Sequence, residues 1–366
     1  MQDNKKINAI QFGALALVGT LSYSFYFLPG ILIENAKNDI WLVQIVTTII
    51  GFFVILLYVS IANRFGDLNI FQFIEKCFGK IIGRIINTLI ILGETFFASF
   101  QLFLFSELIN IHILPLTPKF LILLLFLLVI LYALNLGLEQ ISRANQILVS
   151  ITTLFFFIGS LLLILKMNID NIKPILADGF IPIIKSSYLA TCITTSCLAG
   201  LLLIPPKNVI DKENYKKAYV IGYLIGSLQL FTSLFFIIAV FGLDLAAHFD
   251  SPAYELLRVI GIEGIIDRVD VFFLFHWMVA VFFFVSHILY GVVDGIRTCF
   301  ISNIKYRKWI NMAIITIVLF LSLLIFKNRT EANYFLINYG IIMQSVLYLL
   351  LPLIIYIVSL IRKIKG

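Results

Sequence analysis

Long apolar runs, each close to membrane-spanning length, alternate with short polar links along almost the whole chain. A helix needs about 20 apolar residues to cross a bilayer. The pattern therefore predicts an all-α polytopic membrane protein with ten transmembrane helices. We expect them near residues 8–33, 39–62, 84–110, 118–136, 142–166, 186–206, 216–243, 268–296, 310–327 and 335–361.

The first apolar run is interrupted in its middle by the small and polar stretch Gly19–Ser24. A helix that breaks inside the membrane leaves backbone N–H and C=O groups unpaired, and hydrocarbon tolerates these only where they face protein or a polar cavity. A similar stretch, Thr194–Gly200, interrupts the sixth run. Matched interruptions predict a five-plus-five inverted repeat, with helices 1 and 6 broken and a ligand site between them. Close packing through small residues is the alternative explanation of each stretch.

A ligand with the chemistry of an amino acid suits two such breaks. Its carboxylate can meet exposed N–H groups at the first break, because the N-terminus of a half-helix favours negative charge, and its amine can meet carbonyls at the second. The residues that we assign to ligand binding are Gly19, Thr20, Leu21 and Ser22 in the first stretch and Thr194, Thr195, Ser196 and Ala199 in the second.

Few ionisable side chains fall inside the apolar runs, and such side chains are usually functional because they are costly to place in a bilayer. Glu94 and Gln101, seven residues apart, share one face of the third helix. The residues that we assign to a central cavity or pathway are Phe25, Glu94, Phe97, Gln101, His276, Tyr339 and Gln344. Each has a structural alternative: a hydrogen-bonded carboxyl, a satisfied buried imidazole, core packing of the phenylalanines, or interhelical hydrogen bonds.

The links between helices divide the chain. Residues 167–185 are expected to form an external connector between a first repeat at 8–166 and a second at 186–361, and interlocking of the two makes 1–366 a single transmembrane domain. A longer link contains Asn69–Phe78, whose helical periodicity predicts an interfacial helix. Tryptophans 41, 277 and 309 fall near predicted helix ends, where such rings prefer to lie.

Composition supports the membrane class. Apolar residues form 61% of the chain and charged residues 13%, about half the charged share of ordinary soluble domains. The first apolar run has no cleavage site, so we expect a mature helix there and no signal peptide. The net charge of +7 lies in short loops and not on one patch, which argues against nucleic acid as a partner. Alternate flanks hold 18 and 9 of the 27 Lys and Arg residues, which predicts that both termini are cytoplasmic.

No pattern of catalytic chemistry is present in the sequence. The four cysteines are scattered, with no CxxC and no histidine at ligand spacing, so neither a disulfide framework nor a metal site is expected. The sequence also lacks a nucleophile with an adjacent base and a phosphate-binding glycine loop. We predict no enzymatic activity and no cofactor.

Several stretches resemble known motifs. Asp250–Arg258, followed by Ile265–Phe272 and Trp277, resembles a signature of the spore germination receptor B-subunit family. Further stretches look like that family's motifs in the same order along the chain: Leu114–Pro118, Gly137–Glu139 with Arg143, and Asn171–Leu176. One departure is Cys197–Gly200, where the family often carries an aromatic and an acidic residue.

The resemblance implies the amino acid-polyamine-organocation transporter fold, a leucine-transporter-like inverted repeat of five plus five helices. It also implies location in the inner membrane of a bacterial endospore, partnership with an A subunit and a lipoprotein C subunit, and sensing of small germinants such as amino acids. The leading hypothesis is therefore a germinant sensor in the lipid bilayer that signals through partner subunits. An active amino-acid permease and a conduit for ions or water are the alternatives.

Overall fold

Helices account for nearly all regular structure in this computed structural model, which describes residues 6–259, 270–301 and 303–365. One isolated bridge, between Ile7 and Val209, is the only β pairing among them. The helices are α1 (Ala9–Leu21), α2 (Ser24–Ala36), α3 (Ile40–Ala62), α4 (Ile70–Phe78), α5 (Lys80–His112), α6 (Lys119–Leu136), α7 (Leu138–Leu163), α8 (Phe180–Ala199), α9 (Tyr215–His248), α10 (Pro252–Arg258), α11 (Asp270–Cys299), α12 (Arg307–Leu324) and α13 (Arg329–Ile361).

Each predicted apolar run overlaps one of these helices or, in the first run, the pair α1 and α2. Within the described residues, nine helical stretches are long and apolar enough to cross a membrane. The first of them, Ala9–Ala62, includes two of the predicted runs, so the prediction of ten crossings agrees with the structure. α8 begins at Phe180, earlier than expected, because Pro182 falls in its first turn, where proline is tolerated.

The packing of the long helices is reciprocal between the two halves. α1 packs against α9, and α3 packs against α8. If the second half repeats the first, α8 corresponds to α1 and α9 to α3, so these two contacts are equivalent. The α1–α9 crossing is very close, since a Cβ atom on Gly222 would lie 2.1 Å from the carbonyl oxygen of Gly13. α5 and α11, one from each half, pack against each other in the middle of the bundle.

Both ends of the described chain lie on one face of the bundle, which we call the terminal face. Ile7 exchanges two backbone hydrogen bonds with the loop after α8, to Asn208 (2.8 Å) and from Ile210 (2.9 Å). At the other end of the chain, the Arg362 guanidinium donates to the Cys77 carbonyl in α4 (2.6 Å). An even number of crossings requires this arrangement. That this face is cytoplasmic remains a prediction.

Two short helices cover opposite ends of the bundle. α4, on the terminal face, is the helix predicted over Asn69–Phe78, and it begins with a capping box, in which Asn69 Oδ1 accepts from the Gln72 N–H (2.9 Å). α10 packs against α9 and α2 and buries Leu256 and Leu257. The motif Ile265–Phe272 lies mostly outside the described residues.

Candidate ligand site at the junction of α1 and α2

The predicted break in the first helix is present at Ser22 and Tyr23, between α1 and α2. The carbonyl oxygen of Ser22 is bound by two side chains from other helices: the Gln101 amide Nε2 of α5 (2.9 Å) and the Trp277 indole Nε1 of α11 (2.9 Å). Both side chains are buried. The prediction that Trp277 lies at a membrane interface is therefore wrong. Its side chain is buried, because its indole N–H donates to the carbonyl at this break.

The sixth helix is also broken, but at the end of the stretch that the sequence indicated. α8 continues as an α-helix to Ala199, and the chain then tightens into a 3-10 helix over Gly200–Leu203. The hydroxyls of Thr194 and Thr195 donate to the carbonyls one turn before them, at 2.8 and 2.7 Å. Such bonds satisfy these side chains without interrupting the helix.

The two broken helices meet. A Cβ atom on Gly19 would lie 3.4 Å from the Cys197 carbonyl oxygen, so α1 and α8 cross with backbone nearly in contact. The predicted meeting of the two stretches is therefore present.

A small cavity of about 10 Å³ lies at this meeting point. Its lining residues come from the junction and from α5, α8, α11 and α13: Tyr23, Glu94, Phe97, Ala98, Gln101, Ser196, Cys197, Phe284, Gln344 and Tyr348. The volume corresponds to about one water molecule. An amino acid therefore fits only if the aromatic side chains of the lining move apart.

The polar groups of the cavity are joined to several helices. Glu94 of α5 and Tyr348 of α13 lie together in the cavity wall, and the buried Tyr58 hydroxyl of α3 donates to the Tyr348 carbonyl. Among the described residues, the side-chain oxygens of Gln101 and Gln344 have no hydrogen-bond partner. α13 carries two π-helical turns, Leu336–Gly340 and Val346–Leu350. Such turns are frequent at functional sites.

Glu94 and Tyr348 also line a second cavity, of about 30 Å³, on the side of the terminal face. Ile70 of α4 and Leu203 of the 3-10 helix form part of its otherwise apolar wall. The Glu94–Tyr348 pair therefore separates a polar cavity at the junction from an apolar one nearer the surface.

The structure brings together five of the residues assigned from the sequence. Glu94, Phe97, Gln101, Ser196 and Gln344 all line the junction cavity.

The other residues assigned to ligand binding surround the cavity without lining it. Thr20 donates to the Ala16 carbonyl (2.9 Å), Leu21 is buried beside the break, and Ala199 lines the second cavity.

Three residues assigned to the cavity or pathway lie elsewhere. Phe25 packs against Phe156 and lines a separate small cavity. The His276 imidazole is satisfied by Thr152 Oγ1 (2.7 Å) and Gln229 Oε1 (3.0 Å), in agreement with the structural alternative. Tyr339 is 55% exposed.

Sequence reasoning missed several lining residues: Tyr23, Ala98, Cys197, Phe284 and Tyr348. Tyr23 and Cys197 lie inside the two indicated stretches, so extending each stretch to all its members would have found them. Tyr348 lies one helical turn after Gln344 and shares its face. The sequence contains no signal that distinguishes Phe284 from the other apolar residues of α11.

Comparison with known proteins agrees with this architecture. A family model described as "Spore germination protein" matches residues 6–332. "Spore germination protein KB" of Bacillus subtilis (strain 168) is 27% identical, and the alignment covers 99% of this chain and 96% of that protein. "Spore germination protein A2" of the same organism is 25% identical over 98% of this chain and 97% of that protein.

Two solved transporters share the fold. A Na+-coupled sialic acid symporter superposes with a TM-score of 0.66 at 13% sequence identity, over 94% of this chain and 79% of that chain. A manganese transporter of Eremococcus coleocola superposes with a TM-score of 0.59 at 15% identity, over 93% of this chain and 74% of that chain. These likenesses confirm the predicted all-α, leucine-transporter-like fold.

Proposed function

Because the chain belongs to the spore germination protein family, we propose that it is the membrane subunit of a spore germinant receptor and binds a small, amino-acid-like germinant at the α1–α2 junction. The observation that carries the proposal is the junction cavity, in which a broken helix, a buried carboxyl and two unpartnered amide oxygens meet. Buried polar groups without partners are rare in proteins and mark places where a further molecule can supply the missing bonds.

The small volume of the cavity suggests how binding produces a signal. A germinant has to separate the aromatic side chains of the lining, so it binds an opened conformation better than the closed one. A ligand shifts a conformational equilibrium only through such a difference in affinity. In this proposal the shift passes to an A subunit and a lipoprotein C subunit. The chain lies in the spore inner membrane with both termini cytoplasmic, and it performs no enzymatic reaction.

An active amino-acid permease is the second candidate. It is favoured by the two cavities that lie on either side of the Glu94–Tyr348 pair, which is the arrangement that a solute path requires. A conduit for ions or water would use the same path. A permease accumulates labelled amino acid in vesicles when the chain is present alone, and a conduit produces conductance. A sensor does neither and needs its partners.

The test is a matched pair of glycine substitutions in spores that otherwise lack this subunit. Gly19→Val introduces methyl groups at the crossing of α1 and α8, where an added Cβ atom alone would lie 3.4 Å from the Cys197 carbonyl oxygen. Gly30→Val is the control, since a Cβ atom at Gly30 has no neighbour within 4 Å. We expect Gly19→Val to abolish germination across a panel of amino acids and Gly30→Val to leave it intact, with both proteins present in the membrane. A normal response of Gly19→Val spores would refute the site.

A further inference from the structure

The unpartnered side-chain atoms in the lining of the junction cavity are the amide oxygens of Gln101 and Gln344, which accept hydrogen bonds, and the hydroxyl of Tyr23. The Gln101 amide nitrogen donates to the Ser22 carbonyl, and the Gln101 amide oxygen has no hydrogen-bond partner. The Gln344 amide oxygen likewise has no partner. Together with the Glu94 carboxyl, the cavity offers three acceptor groups to whatever enters it.

No described residue supplies a positive charge to this cavity. Its lining contains no Lys, Arg or His, and Glu94 takes part in no ion pair within the described ranges. The titratable groups near Glu94 are Tyr348, Cys197 and Tyr23, which line the same cavity, and Tyr58 of α3. All are of types that are neutral in their usual protonated form.

A carboxylate that is buried without a cation is unfavourable and is normally neutralised by a proton. A protonated Glu94 has one O–H donor, which can serve one of the acceptor oxygens around it. An ammonium group has three N–H donors and a positive charge. The ammonium group therefore has enough N–H donors for the Glu94 carboxylate and the amide oxygens of Gln101 and Gln344 together. Tyr23, Phe97, Phe284 and Tyr348 also line the cavity, and an aromatic ring whose face meets a cation attracts it.

We propose that the ammonium group of the germinant replaces the proton of Glu94. This inference rests on the proposed function and adds the chemical class of the ligand and its dependence on pH. The Glu94 O–H bond breaks and its proton leaves to water, while the carboxylate formed accepts an N–H of the ammonium group. The Glu94 carboxylate and the ammonium group then balance each other in charge, the carboxylate of an amino acid stays as the one additional negative charge, and one proton is released to water for each ligand bound.

Two consequences follow. A ligand that lacks the ammonium group, such as the 2-hydroxy acid of the same carbon skeleton, supplies no N–H donors to these acceptor oxygens. It therefore binds at least tenfold more weakly. Because binding competes with one proton, the affinity falls up to tenfold for each unit of pH below the range in which Glu94 ionises. Above that range the affinity does not depend on pH until the ammonium group itself loses its proton.

The experiment is calorimetry on the full chain in lipid nanodiscs with each of the twenty common amino acids as probes. Titrations of the probe that binds are repeated in two buffers of different ionisation enthalpy, at one pH below the range in which Glu94 ionises, which gives the number of protons released. We expect about one proton for the unmodified chain. Glu94→Gln should bind without releasing a proton and without the dependence on pH. Glu139→Gln is the control, because Glu139 pairs with Arg143 and does not line the cavity.

The outcomes separate the two proposals. An amino acid that binds without proton release, or a 2-hydroxy acid that binds as tightly as its amino acid, overturns the ammonium exchange and leaves the germinant site standing. Absence of binding by every amino acid overturns both. The proton count of the unmodified chain decides the inference even if Glu94→Gln fails to fold.

Discussion

The two broken helices contain similar stretches of small and polar residues, but the two stretches have different structures. At the α1–α2 junction the Ser22 carbonyl is held by side chains from two other helices, Gln101 and Trp277. In α8 the hydroxyls of Thr194 and Thr195 return to carbonyls of their own helix. The helix then changes geometry only at Gly200. A small polar stretch therefore opens where neighbouring helices supply donors, and otherwise stays helical.

The largest effect on this comparison is expected at Gly200. A Cβ atom there would lie 2.0 Å from Cδ1 of Ile288, so the second break is closed by tight packing. We expect Gly200→Ala to lower the free energy of unfolding by about 2 kcal/mol, as overpacking does in well-packed interiors. Because valine lacks the Cδ1 atom, Ile288→Val should recover most of that loss in the double variant.

Thermal unfolding followed with a thiol-reactive dye measures this loss, since all four cysteines are buried in the folded chain. Gly19→Ala is the counterpart at the first break, where the Cβ atom meets only an ordinary contact of 3.4 Å. Equal losses at Gly19 and Gly200 would show that the two breaks are packed alike.

A smaller effect is expected from the two donors to Ser22. Gln101→Leu or Trp277→Phe leaves the carbonyl one hydrogen bond, whereas the double variant leaves it none. Loss of the last partner of a buried group carries a desolvation penalty. We expect the double variant to be less stable than the sum of the single effects by about 1 kcal/mol. A double-mutant cycle in the same thermal assay gives this value. Strict additivity would mean that the carbonyl finds another donor.

The smallest effect is expected in the helical part of α8. Thr194→Val and Thr195→Val remove hydroxyls whose acceptor carbonyls belong to their own helix, so each should change stability by less than about 0.5 kcal/mol. Ser196→Ala sharpens the test, since only Ser196 of these three lines the cavity. It should alter the response of spores to amino acids while its unfolding temperature stays close to that of the valine variants. A large loss of stability in Thr195→Val would assign that hydroxyl an interhelical role.

Much of the site could be predicted because its signals are local. Glu94 and Gln101 share a helix face through their spacing alone, and Gly19–Ser24 marks a weak point in an otherwise apolar helix. His276 carried an equally strong polarity signal, yet Thr152 and Gln229 satisfy it away from the cavity. The side chain of Cys197 is far less polar and was indicated only by its place in the second stretch, yet it lines the cavity. The chemistry of a residue indicates that it needs a partner, but not which helix provides one.

By itself the sequence determined the membrane class, the number of crossings and the first break. Length, hydrophobicity and helical spacing are properties of consecutive residues, and the bilayer acts on each run separately. Only the tertiary structure decided where the second break begins, why Trp277 is buried and which side chains enclose the cavity. Those outcomes depend on hydrogen bonds and packing between helices that are far apart in the chain, and such contacts exist only once the bundle has formed.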